Sequence, residues 1–358
     1  MTEPLSTVES SSPKESPLRR WLARAWGGCT IGLWVAAAMD VTLRDRVPGL
    51  AVVFYATPPI VLGVLLLLMA GLGRRWKRES ESVATLARTW GFHRMAHVLA
   101  NVATMSCVAT ALLGCVCVGV WLFGNFRWSP ARKPPPNALK VVFWNVGRGQ
   151  FASWDRIAEQ LSRFDADVLA LAEANADEVQ TREFWQSRLP GYSPLPLHGG
   201  MVLLVKGEAT QQAAGQLAGA GRFRRVAVEM REVRFDMILA DIVSDPLSPR
   251  GPPLGKLFEI MQAQGTTPAL VVGDFNTPPT SVCFDGWRAD WSRAWDVAGS
   301  GYQATWPQPL PVLALDHVWG NRGLTFHHCV CGWSSCSDHR PVIVELTLVE
   351  GSARHAER

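Results

Sequence analysis

Leu270-Val271-Val272-Gly273-Asp274-Phe275-Asn276 is an uncharged run that closes on an acid and an amide. Its length and its valines read as a buried strand. Asp and Asn at the end of such a strand bring polar groups to the rim of a sheet, where chemistry is done. A second run, Ser337-Asp338-His339-Arg340-Pro341, places a similar cluster directly before the apolar stretch Val342–Leu348.

Outward from these two runs, strand and helix signals alternate from about Ala138 to about Glu350. Strands are expected at Lys140–Val146, Asp167–Leu171, Met201–Lys206, Arg225–Met230, Phe235–Ile242, Ala269–Phe275, Leu315–Trp319, Leu324–Cys331 and Val342–Leu348. Helices are expected at Phe151–Phe164, Ala176–Leu189 and Leu254–Gln264. In the first of these, Trp154, Ile157, Ala158, Leu161 and Phe164 share one face at helical spacing. Many strands with few covering helices point to two packed sheets with helices outside. Five polar clusters follow or end strands: Trp144-Asn145-Val146-Gly147, Ala172-Glu173, Gly273-Asp274-Phe275-Asn276, Leu315-Asp316-His317 and Ser337-Asp338-His339-Arg340-Pro341. One carboxylate at a strand end is an ordinary turn residue, whereas five clusters in this order are harder to read as accident.

Together the five clusters resemble the endonuclease/exonuclease/phosphatase superfamily, over about Leu139 to Leu348. The resemblance implies an α/β fold, a four-layered α/β sandwich of two packed mixed sheets flanked by helices. It also implies metal-assisted hydrolysis of a phosphate ester by an activated water. Such a reaction needs a divalent cation, a base for the water and a donor to the phosphoryl oxygens. By the same resemblance Glu173 is the principal ligand of Mg²⁺, with Mn²⁺ as the alternative ion, because a hard cation prefers carboxylate oxygen. Asn145 and Asp338 complete the metal side. Asp274 positions and deprotonates the water, Asn276 holds the water or a phosphate oxygen, His339 donates to the phosphoryl group, and Asp316 orients His339. His317 reads as structural.

One position departs from the family pattern. The strand resembling Met237–Ile242 usually carries a His or Tyr facing the phosphate, and here that place falls to Asp241. An ionised carboxylate cannot donate to phosphate and repels it unless it is protonated, metal-bound or paired with Arg. Arg148 and Arg250 are the candidate partners. The residue before Glu173 is Ala172, where the family usually has Gln. These departures motivate a rival reading, a binding or scaffold domain that kept the fold without turnover.

The first third of the chain is of another kind. Residues 1–18 read as a disordered tail and 19–126 as a membrane region with spans at about 21–40, 50–73 and 98–124. Two of these uncharged stretches exceed the roughly 20 apolar residues that cross a bilayer. Pro58-Pro59 interrupts the second span or marks its start. Residues 127–137 form a Pro-rich linker, residues 138–350 the catalytic domain, and residues 351–358 a polar tail. Arg19, Arg20 and Arg24 before the first span, and Arg74, Arg75, Lys77 and Arg78 after the second, put those segments in the cytoplasm. With three spans, the C-terminal domain is then extracytoplasmic, in an inner or plasma membrane. The sequence has few ionisable residues within these stretches, which disfavours a transporter or channel.

The expected partners are the lipid bilayer and a phosphate-ester substrate, and no protein partner is indicated. The formal net charge of +4 is mild. With no basic, aromatic-rich strip in the domain beyond the short Gly221-Arg222-Phe223-Arg224-Arg225, strong nucleic-acid binding is not indicated. Cys283, Cys329, Cys331 and Cys336 are compatible with disulfides in an oxidising compartment, with free thiols, or with a zinc site of unusual spacing.

Overall fold

A computed structural model describes residues 17–88, 93–128 and 133–349 of the chain. The expected tails at 1–16 and 350–358, and part of the Pro-rich linker, lie outside the described residues. The chain divides into two compact units. One comprises residues up to Ala38 together with Val61–Val118, and the other comprises Met39–Ile60 together with Gly119 onward.

The first unit is helical. It is built from α1 (Pro17–Thr42) up to Ala38, α3 (Pro59–Arg88) from Val61, and α4 (His93–Asn125) up to Val118. The short helix α2 (Ala51–Ala56) precedes α3, so the second apolar stretch is broken and its long helix starts at Pro59, where a proline costs no backbone bond. Leu62, Leu66, Ala37 and Cys117 are packed inside. The indole of Trp26 donates to Met69 O at 2.9 Å, and that of Trp34 to Thr110 Oγ1 at 3.3 Å. Ile31, Val35, Leu68, Leu72, Leu112 and Val116 are exposed. By length and composition, Thr104–Asn125 is the one stretch among the described residues that is long and apolar enough to cross a membrane.

The second unit is the four-layered α/β sandwich. Its strands are β1 (Phe126–Arg127), β2 (Leu139–Asn145), β3 (Val168–Ala172), β4 (Ser193–His198), β5 (Met201–Val205), β6 (Glu208–Gln216) and β7 (Gly221–Met230). They continue with β8 (Val233–Ile242), β9 (Ala269–Asp274), β10 (Trp291–Arg293), β11 (Gly301–Tyr302), β12 (Asp316–Asn321), β13 (Leu324–Cys331) and β14 (Val342–Leu348). Its helices are α5 (Trp154–Arg163), α6 (Arg182–Arg188), α7 (Gly251–Gln262) and α8 (Ala294–Ala298). One six-stranded sheet has the order β13-β14-β2-β3-β5-β4, and the other has β10-β12-β9-β8-β7-β6. The pairs β2–β3 and β8–β9 are parallel and the other pairs are antiparallel, so both sheets are mixed. Phe143, Ala170, Leu203, Val228, Phe235 and Val272 fill the space between the sheets. Ile157 and Leu161 of α5 cover the outside of the first sheet, and Leu254, Leu257 and Met261 of α7 cover the second.

Local chemistry explains the elements. Ser153 caps α5 by accepting from Arg156 N. The central strands β2, β3, β5 and β9 are buried at nearly every position, as strands covered on both faces must be. Gly273 in β9 is required by a close approach, since a Cβ there would lie 2.2 Å from Ala240 O. The expected helix at Ala176–Leu189 is split, because Thr181 breaks it with an extended backbone and then caps α6 by accepting from Phe184 N. All eight cysteines are free thiols.

The connection between α1 and α3 packs onto the loop that follows β9. Asp45 accepts from Val282 N at 3.0 Å, from Tyr55 Oη at 2.9 Å and from the Ser281 hydroxyl. Arg44 Nε donates to Thr280 O at 2.7 Å. Asp45→Ala would strip three donors of their acceptor, at about 1–3 kcal/mol. The expected outcome is a lower unfolding temperature of the detergent-solubilised protein, with Asp45→Asn intermediate. Differential scanning fluorimetry checks it.

Candidate active site

Three carboxylates lie side by side at the ends of neighbouring strands. β8 is in register with β9 so that Asp241 partners Asp274, and β12 is in register with β9 so that Asp316 partners Asp274. Asn145 ends β2 in register with Ala172, which puts Glu173 one residue beyond it on the neighbouring strand end. His339 lies in the loop that leads into β14.

The buried heart of the site is held by hydrogen bonds among these groups. Asp316 Oδ2 is 2.8 Å from His339 Nδ1, and Asp274 Oδ2 is 3.8 Å from His339 Nε2. Asn145 donates through Nδ2 to Asp274 Oδ2 at 2.9 Å. The Asn276 backbone N–H donates to Asp274 Oδ1 at 3.0 Å. The Asn276 side chain is anchored to Ile242 O at 2.8 Å. Ser337 ties the loop before β14 to the end of β2 in the same sheet, donating to Asn145 O at 2.7 Å and accepting from His339 N at 3.0 Å. Trp306 Nε1 donates to Asp338 Oδ2 at 3.2 Å.

Burial, and then the charge of Asp316, push the Asp274 carboxyl well above the ordinary carboxylate range, while His339 opposes the shift. Burial alone would lower His339, but Asp316 and Asp274 outweigh it and raise the imidazole above its usual value. The result is a cationic imidazole beside a basic carboxylate, suited to hold one proton and to accept another. His317 is different. It is buried against Phe275 and Phe284, its Nε2 is 3.1 Å from Ala314 O, and burial lowers its pKa to about 3. It is a neutral core residue, as expected.

The open side is a cavity of about 340 Å³ lined by Arg148, Glu173, Asn175, Arg222, Asp241 and Asn276, among others. Arg148, Glu173 and Asn276 there have φ of 57°, 56° and 47°. The left-handed region costs a non-glycine residue about 1–3 kcal/mol, and such strain clusters at functional sites. Glu173 is paired with Arg148 at 3.1 Å. The expected partner of Asp241 is corrected here. Arg148 is paired with Glu173 while its charge also acts on Asp241, Arg250 Nε donates to Asn276 O at 3.2 Å, and the direct ion pair of Asp241 is with Arg222 at 3.4 Å. The pairing came from β7, where Arg222 is the register partner of Asp241. The basic run Gly221–Arg225 was its signal in the sequence.

The donor set can be tested against a divalent cation. Glu173, Asn145 and Asp338 offer carboxylate and amide oxygens from adjoining strand ends, an all-oxygen set that suits a hard ion. The Asn145 amide is turned with its nitrogen to Asp274 and its oxygen to Gly147 N at 3.0 Å, so that oxygen keeps a lone pair on the metal side. Asp274, Asp316 and His339 also lie close enough together to hold an ion. Asp316 Oδ2 is already engaged by His339, and Asp274 by Asn145 and the Asn276 N–H. The donor chemistry of Glu173, Asn145 and Asp338 is therefore compatible with a divalent cation.

The sequence of residues 142–339, more than half of the chain, matches the model of the Endonuclease/Exonuclease/phosphatase family. The chain belongs to the endonuclease/exonuclease/phosphatase family. Members of this family are hydrolases that act on phosphoester bonds, and they are typically dependent on a divalent metal. No curated protein matches the chain. Among solved structures, the chain is similar to an endonuclease/exonuclease/phosphatase family protein from Bacteroides thetaiotaomicron, at 15% identity and a TM-score of 0.49, over 61% of this chain and 100% of that one. It is also similar to a mannosyl-6-phosphatase of the same organism, at 15% identity and a TM-score of 0.48, over 59% and 100% of the two chains. The human Nocturnin catalytic domain with bound sulfate aligns at 16% identity and a TM-score of 0.45, over 61% and 97%.

Asp241 gives this family member a pH signature. Burial, and then the Glu173 charge, raise its carboxyl to about 6 against the pull of Arg222. The folded state therefore binds this proton more tightly than the unfolded chain, so stability falls as pH rises from about 4 through 6. Above that window the ionised carboxylate costs up to about 3 kcal/mol. In EDTA, Asp241→Asn is expected to unfold at higher temperature than wild type at pH 7.5, with the difference gone below pH ~4. Thermal unfolding across that range checks it.

Proposed function

We propose that this chain is a membrane-anchored, Mg²⁺-dependent phosphoesterase whose catalytic domain faces away from the cytoplasm. The observation that carries the reaction is the Asp274–His339–Asp316 trio set against the oxygen ligands Glu173, Asn145 and Asp338. Bound at those oxygens, a divalent cation supplies charge neutralisation at the phosphoryl group. Asp274 is placed to take the proton of the attacking water, and its raised pKa makes it a stronger base than a surface carboxylate. Asn276 holds the water or a phosphoryl oxygen without adding negative charge. His339, kept cationic by Asp316, donates to the oxygen that gains charge.

The anchor rests on other observations. Three helices of the first unit expose large apolar side chains that water would not tolerate as a continuous surface, and Thr104–Asn125 has the length and composition of a span. The connection at Asp45 and Tyr55 packs on the catalytic unit, so both belong to one side of a bilayer. That agrees with the charge bias, which places this connection outside. Tethering raises the concentration of the domain at the membrane surface and so favours a phosphate ester found there.

The rival is a non-catalytic binding domain, favoured by the Arg148–Glu173 ion pair, in which a guanidinium occupies the principal metal carboxylate. Calorimetry with Mg²⁺ separates the two, since a folded protein that takes up no ion is the scaffold. For the enzyme, the detergent-solubilised protein with Mg²⁺ should turn over one or more of a panel of DNA, RNA, sphingomyelin, phosphoinositides and sugar phosphates. Asp274→Asn and His339→Ala should each lower the rate by about 10²–10⁴. Metal-dependent turnover equal in all three proteins would sink the proposal. Protease added to intact spheroplasts should remove the domain, and protection until the membrane is broken would reverse the orientation.

A further inference from the structure

Asp241 poses a problem for a phosphoesterase, because it puts a third carboxylate where phosphate must bind. Its surroundings offer the answer. The side chain is 14% exposed and its Oδ2 lies 3.4 Å from Arg222 Nε. Arg222 is fixed a second time, donating through Nη1 to Gly199 O at 2.8 Å. The remaining nitrogen, Nη2, makes no hydrogen bond to protein among the described residues. The same side chain is 38% exposed and lines the 340 Å³ cavity together with Glu173 and Asn276.

We propose that Arg222, clamped by Asp241 and the Gly199 carbonyl, is the phosphate-binding donor of this site, and that Asp241 is its positioning residue. This rests on the phosphoesterase reading above and supplies the donor that the site otherwise lacks. A guanidinium has five N–H donors in a planar fork. With two nitrogens anchored, the third is held toward the cavity with little rotamer freedom left to lose on binding. The geometry suits a phosphoryl oxygen, which accepts a charge-assisted bond from such a fork. Asp241 also offsets the guanidinium charge when no substrate is bound, so the cavity is not left with an uncompensated cation. The berth depends on Gly199. Its φ of +63° disfavours a side chain, and a Cβ there would lie 3.1 Å from Arg222 Nη1.

The test uses the full-length protein in detergent and inorganic phosphate as the probe. Arg222→Gln should weaken phosphate binding, read by calorimetry, and raise KM for the turned-over ester, each by about 10–100-fold. Arg222→Lys should recover only part, because an ammonium cannot keep both anchors. Asp241→Asn should weaken phosphate in the wild-type background and add nothing in Arg222→Gln, a coupling that a merely structural role would not produce. A cooperative unfolding transition and unchanged circular dichroism show that the variants fold. Equal phosphate affinity in wild type and Arg222→Gln overturns the assignment, and additive effects of the two substitutions overturn the positioning role. If Asp274→Asn abolishes turnover while Arg222→Gln changes nothing, the phosphoesterase reading stands and this proposal falls. If wild type turns over no phosphate ester but binds phosphate through Arg222, the reverse holds.

Discussion

The structure turns on one electrostatic constraint, which is that three neighbouring strand ends carry three acids. Asp241, Asp274 and Asp316 occupy consecutive register positions across β8, β9 and β12, and Asp274 and Asp316 are almost wholly buried. Like charges at that spacing, removed from water, would unfold the rim unless each were compensated. Each has its own solution. Asp316 has the His339 imidazole, Asp274 has the Asn145 amide and the Asn276 N–H, and Asp241 has the Arg222 guanidinium. These partners come from the other sheet, from the turn after β9 and from β7. The acids therefore require the ends of the two sheets to meet, and the hydrogen bond from Asn145 to Asp274 is one tie between them.

The same constraint separates the roles of the acids. Where compensation is the imidazole at hydrogen-bond distance, as for Asp316, the carboxylate is placed against His339 Nδ1. Where it is an amide and an N–H, with the imidazole only at 3.8 Å, burial raises the proton affinity of the carboxyl. Where it is a half-exposed arginine at the rim, as for Asp241, the pair lines the open cavity. The left-handed backbones of Arg148, Glu173 and Asn276 are the cost of aiming their side chains at a shared cavity, and the packed strands on either side hold them there.

Much of this was legible in the chain. The buried strands read clearly because a strand covered on both faces is a short apolar run, and β9 and β14 end or begin beside polar clusters. Of the edge strands, β13 read but the other three did not. β4 carries Pro194 and Pro196, which an edge tolerates but a sequence pattern penalises, and β6 is a polar run of Glu, Thr, Gln and Ala with little alternation. β10 is too short to signal at all. The site divides in the same way. Asp274, Asn276, Asp316 and His339 lie in compact clusters and are brought together. Arg222 acquires its partner only through cross-strand pairing of β7 with β8, a relation that local reading assigned to Arg148 or Arg250 instead.

The division between the apolar N-terminal region and the two-sheet domain is also less simple than the hydropathy pattern. The apolar stretches suggest a boundary at the Pro-rich linker near residue 127, yet the compact unit that holds both sheets also takes in Met39–Ile60. Asp45 and Tyr55 from that segment secure the loop at Ser281 and Val282, only a few residues after Asn276. Arg250 completes the path, with its guanidinium 5.7 Å from the Tyr55 ring and its Nε on Asn276 O. A domain cut at the linker would keep both sheets and every catalytic residue but lose the brace behind the turn that carries Asn276. Since a displacement of about 1 Å at a reacting group is enough to cost catalysis heavily, the connection between the first helices belongs to the functional domain in physical terms, although it lies in the other half of the sequence.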